Sequence, residues 1–185
     1  MNTLNVVVVV SVALAVWLVF TFNSLVRLRN RAKEALSDID VQLKRRFDLI
    51  PNLIETVKGY MSHEKSVLEN VTKARTAVMS MSGSPLERDQ AESQLSNTLK
   101  TLFAVSENYP DLKANVNFLD LQRELADTEN KIQASRRFYN TMVMSLNTKV
   151  QSFPTNFIAR PFGFTEEKFF EIESAAEKEP VKVNF

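Results

Sequence analysis

An all-α protein with a membrane-spanning first helix is expected from three features of the 185-residue sequence. Residues 4–22, LNVVVVVSVALAVWLVFTF, carry no charge. From residue 25 to residue 151, apolar side chains recur every three or four positions, with no alternating strand pattern. Only three glycines, Gly59, Gly83 and Gly163, are available for turns, which disfavours a β fold and excludes glycine-rich phosphate loops. The expected architecture is an N-terminal transmembrane helix, an up-and-down antiparallel four-helix bundle and a Phe-rich C-terminal tail. Its divisions are a short extracytoplasmic tip at 1–3, the span at 4–22, the bundle at 25–151 and the tail at 152–185.

The span comes first. Nineteen residues make a helix of about 28 Å, close to the ~30 Å of a bilayer's hydrocarbon core. A cleaved signal peptide competes with this reading. It would want a basic leader, which Met1–Asn2–Thr3 lacks, and apolar residues continue past Ala13–Leu14–Ala15. Arg27, Arg29, Arg31 and Lys33 follow the span and nothing basic precedes it. The positive-inside rule therefore puts the body in the cytoplasm of a single-pass protein. The same four residues are candidates for contact with anionic headgroups at the membrane interface.

The next segment places Leu28, Ala32, Leu36, Ile39, Leu43 and Phe47 on one face. Pro51 lacks an N–H and opposes the carbonyl of Phe47, so the segment is expected to stop near Arg46. Lys44, Arg45 and Arg46 would then favour the negative end of the helix dipole, and Asp48 would cap a restart at Leu49. The apolar rhythm nevertheless continues in phase through Ile50, Ile54 and Val57, which keeps one kinked helix as the alternative.

Ser80–Pro85 is a breaker cluster, and a third helix runs from about Leu86 to Asn108 with Leu95, Leu99, Leu102, Phe103 and Val105. The last long segment is the most regular. Phe118, Leu121, Leu125, Thr128, Ile132, Ser135, Tyr139, Met142 and Leu146 form a coiled-coil-like stripe, with Asn115 or Asn117 placed to cap its start. The tail, 153–185, holds seven of the thirteen phenylalanines. It reads either as a strap over the bundle end or as a docking segment, with Phe157, Phe162, Phe164, Phe169 and Phe170 as candidate interaction residues. Thr165 to about Ser174 is expected to form a short helix.

Chemistry is sparse. There is no cysteine and a single histidine, so thiol nucleophiles, cysteine zinc sites and His-rich metal sites are excluded. Ser62–His63–Glu64 resembles the start of a histidine-kinase phosphoacceptor helix, but Lys65–Ser66–Val67 stands where Arg-Thr-Pro would follow. Val67 also replaces the second histidine of a zinc-peptidase motif. A net charge of +1 gives no general attraction to nucleic acid. No catalytic residue, cofactor or metal is therefore expected, and no nucleic-acid partner.

Long blocks carry a family resemblance: SLVRLRNRAKEALSDIDVQLKRRFDLIPNLIETVKGYMSHE, LFAVSENYPDLKANVNFLDLQRELADTENKIQASRRFYN and SFPTNFIARPFGF. Together, over roughly residues 20 to 172, they resemble the LemA family of bacterial membrane proteins. Phe47 stands where a histidine is common, and Ala35–Leu36 where Ala-Trp is. The resemblance implies an anchored cytoplasmic helical bundle of the bacterial inner membrane, without established activity. It also implies links to magnetosome formation and, by gene neighbourhood, to an HtpX-type membrane metalloprotease. Three functions are consistent with these features. The leading one is a non-enzymatic scaffold that self-associates into a homo-oligomer. The others are an adaptor of the metalloprotease in membrane protein quality control, and a lipid-binding membrane-shaping module.

Overall fold

The computed structural model describes residues 2–170. Among the described residues there are six helices and no strand: α1 (Thr3–Lys58), α2 (Lys65–Ser80), α3 (Asp89–Ser106), α4 (Pro110–Lys113), α5 (Val116–Gln151) and α6 (Asn156–Ala159). The helix expected from Thr165 begins within this range and ends outside it, as does the tail through Phe185.

α1 corrects the expected break at Arg46. It runs unbroken for 56 residues with Pro51 inside it. Pro51 removes one intrahelical hydrogen bond and crowds the Phe47 carbonyl, a cost of about 3 kcal/mol. Burial outweighs it: Ile50, Leu53 and Val57 are fully enclosed, and each contributes roughly 1.5–3 kcal/mol. Within residues 37–58, the buried Ile39, Leu43, Arg46, Ile50, Leu53 and Val57 keep one helical phase. Arg46 therefore points inward and does not cap a helix end. Asp48 is an exposed mid-helix residue.

Two compact units share these helices. Residues 37–135, with Phe170, form one of them. Its core joins Ile50, Leu53 and Val57 of α1, Val71, Ala74 and Val78 of α2, Leu95, Leu99 and Leu102 of α3, Leu112 of α4, and Phe118 and Leu125 of α5. Asn115 is the cap of α5, its side-chain oxygen accepting from the Phe118 N–H at 3.1 Å. His63 lies exposed on the turn between α1 and α2, outside both helices.

Residues 2–36 and 136–169 form the other unit. Leu25 of α1, Leu146 and Val150 of α5, Ala159 of α6 and Phe164 make its core. After α6 the chain turns through a Schellman motif. The Phe164 N–H donates to the Ala159 carbonyl at 2.9 Å, and the Gly163 N–H to that of Arg160 at 3.1 Å. Gly163 supplies the left-handed residue this motif requires, at φ 69°. Phe164 and Ala159, the two ends of the turn, meet in the core as the motif favours.

Residues 165–170 are not helical, which corrects the helix expected there. α5 takes up their backbone groups instead. The Asn147 amide donates to the Glu167 carbonyl at 2.9 Å and accepts from the Glu167 N–H at 2.9 Å. The Tyr139 hydroxyl donates to the Lys168 carbonyl at 3.0 Å. Peptide groups bonded sideways to a neighbouring helix are no longer free to build a turn of their own.

Candidate functional site

Two arrangements stand out. The first is a buried ion network in the unit formed by 37–135. Arg46, 1% exposed, pairs with the Glu92 carboxylate at 2.5 Å and with Glu129 at 2.7 Å. It also donates to the Ser96 hydroxyl, which itself donates to Glu129 at 3.1 Å. The spacing carries the clue to this cluster. Position 46 falls between Leu43 and Ile50 on the core stripe, and Glu92 and Glu129 fall three and four residues from Leu95 and Leu125. Charge read as surface concealed that phase. One guanidinium bridging two carboxylates, one of them fully enclosed, ties α1, α3 and α5 together. A cavity of about 270 Å³ opens on it, lined by Arg46, Ser96 and Glu129 together with apolar residues that include Leu99, Phe103 and Leu125. No group of three or more metal-ligating side chains occurs among the described residues.

Neighbouring charges lie outside. Arg45 pairs with Glu124 and lies 3.9 Å from Asp127, both exposed, and such pairs contribute little. Lys44 is exposed.

The second arrangement lies in the unit formed by residues 2–36 and 136–169, and it takes in the expected interface residues. At 100° per residue, Arg27 and Arg31 lie on one side of α1 and Arg29 and Lys33 on the other. Arg27, Arg31 and Lys33 are exposed. Arg29 is half-buried, with its guanidinium 4.6 Å from the Phe164 ring centroid in a cation–π contact. Phe22, at the end of the apolar span, meets Phe162 edge to face at 5.1 Å and Phe164 at 5.8 Å. Of the five candidate phenylalanines, Phe157, Phe162 and Phe169 are exposed, whereas Phe164 and Phe170 are buried.

Along α5 of the same unit, Phe138, Thr141, Met144 and Thr148 are exposed on one face, with Ser145 half-buried among them. The hydroxyls of Thr141, Ser145 and Thr148 each donate to the carbonyl four residues back, at 2.9, 2.9 and 2.7 Å. From Phe138 to Thr148 the sequence has no charged residue.

Comparison with known proteins gives the chain its place. The model of the LemA family matches residues 35–185. The chain belongs to the LemA family. Protein LemA of Metamycoplasma hominis is 29% identical over 162 residues, covering 88% of this chain and 73% of its own. Magnetosome protein MamQ 2 of Paramagnetospirillum magneticum is 23% identical, covering 95% of this chain and 74% of its own. Magnetosome protein MamQ of Magnetospirillum gryphiswaldense is 22% identical, covering 90% and 70%. The LemA match begins at Ala35, beyond the apolar stretch. α1 is nonetheless long and apolar enough to cross a membrane, and none of its most apolar window is buried within the chain.

Proposed function

We propose that this LemA-family chain is a non-enzymatic, membrane-anchored scaffold that self-associates, with its helical bundle held on the cytoplasmic face of the inner membrane. The observation that carries it is the stretch of the outer face of α5 between Arg137 and Lys149, three uncharged turns where Phe138 and Met144 are 44% and 58% exposed and the hydroxyls of Thr141 and Ser145 are turned onto the backbone. A solvated helix face ordinarily carries charge; an uncharged one suits a neighbouring helix. A second copy is the natural occupant, because anchoring by residues 4–22 holds copies in one plane with one orientation and raises their local concentration. Family membership and the likeness to the magnetosome proteins support a membrane-associated role without catalysis. The bundle's topology and the orientation across the membrane rest on the helical pattern and the basic residues after the span.

The test is the mass of the full-length protein in mild detergent, with electron micrographs of the same fraction. A large, uniform, symmetric particle is expected, and Phe138→Glu with Met144→Glu should reduce it to smaller species of unchanged helicity. A monomer at every concentration would overturn the scaffold. Recovery of an HtpX-type metalloprotease from crosslinked membranes would then favour the adaptor role.

A further inference from the structure

We infer that the turn Phe153–Phe164 is a second membrane contact, which seats its phenylalanines in the interface of an anionic bilayer beside the anchor. This rests on the membrane-anchor reading and deepens it. Four observations carry the inference.

The first is position. Phe162 packs on Phe22, where the apolar span ends, so the turn lies level with the boundary between hydrocarbon and headgroups. The second is exposure: Phe153, Phe157 and Phe162 are 79%, 71% and 61% exposed. Phe153 and Phe157 sit edge to face at 5.9 Å, so they form a patch rather than scattered residues. The third is rigidity. The Schellman turn at Gly163 sends Phe164 into the core and leaves Phe162 outside, with Phe22 in edge-to-face contact with both rings.

The fourth is charge. Between Asn130 and Thr165 there is no acidic residue. Residues 2–36 and 136–169 together hold nine basic and three acidic side chains, in a chain whose net charge is only +1. Folding thus concentrates positive charge in the unit that carries the span. Arg27 and Arg160 are exposed there, and the Lys149 ammonium reaches the Ser24 hydroxyl just below the span. Aromatic rings flanked by cations match a layer of anionic phosphates over acyl chains. A protein partner would be expected to bring carboxylates, yet rings set at the end of a span meet lipid first.

The experiment uses the full-length chain in vesicles of equimolar phosphatidylglycerol and phosphatidylcholine, with nitroxide-labelled lipids as depth-resolved quenchers. The chain has one tryptophan, Trp17, inside the span, which serves as the internal control. A second protein carries Trp17→Phe with Phe157→Trp. Quenching of Trp17 by nitroxides deep in the bilayer establishes the anchor. The indole at position 157 is then expected to lose most of its emission to nitroxides near the headgroups and little to deep ones. Deep quenching of Trp17 with none at position 157 would overturn the second contact and leave the anchor standing. A blue shift at position 157 that grows with protein density but shows no quenching would also overturn it, and would assign the patch to a second copy. An unquenched Trp17 would overturn both.

Discussion

Arg46 shows how one side chain can be costly and still hold a core together. Removing a charge from water costs several kcal/mol, and the network recovers this only while its partners are present. Arg46→Met should destabilise the protein by about 3–5 kcal/mol in urea unfolding, since it strands Glu92 without a counter-charge. Adding Glu92→Gln should return much of that loss, because the remaining carboxylate, Glu129, is partly solvated. Tyr139 makes a second case. Burial, and then the charge of Glu167, push its phenol above the ordinary value of 10.0. The folded state thus holds the proton more tightly than the unfolded chain. The stabilisation is fully present below the unfolded value and is lost as pH rises through the folded one. Alkaline titration should show a phenolate that appears late and unfolding that accompanies it, and Tyr139→Phe should remove that component. The sequence marks Tyr139 as a core residue by its place on the α5 stripe. It does not show Arg46 as one, because a basic triplet beside a proline has the same composition whether it caps a helix or crosses a core.

Among the described segments, α1 and the stretch after Phe164 depart most from a reading by local rules. Pro51 is a sound local reason to end α1, and it loses to three enclosed side chains that lie just beyond it. Pro51→Ala should therefore stabilise the chain, by up to about 3 kcal/mol, through the restored bond to the Phe47 carbonyl. Loss of stability on denaturant unfolding would instead show that the half-buried proline ring packs better than it bonds. The α5 stripe was legible in most of its length, since nothing interrupts its period, but Val143 and Asn147 are buried beyond Tyr139 where the stripe steps through the half-buried Met142. The segment after Phe164 was not legible. Its glutamates suit a helix start, but the amide of Asn147 twenty residues away decides its backbone, and such a pairing leaves no mark in local composition.

For the chain as a whole, the anchor makes the firmest prediction. Protein in washed membranes should stay in the pellet through alkaline carbonate extraction. Val10→Arg with Leu14→Arg should release it, at about 2.5–3.5 kcal/mol for each charge placed near the middle of the span. The charge segregation is a property of the same scale. It is invisible along the sequence, because residues 2–36 and 136–169 are a hundred positions apart until the fold joins them. The seamless α1 has a further consequence, for insertions and deletions. A helix without a joint has a phase, and one residue added after Lys44, within the unit of residues 37–135, would rotate the rest of α1 by about 100°. Ile39 and Leu43 could then no longer share a direction with Ile50 and Leu53. Seven residues would restore the direction to within about 20°, and four to within about 40°. Length variation in this part of α1 should therefore come in whole turns, whereas a loop between two helices would accept any number.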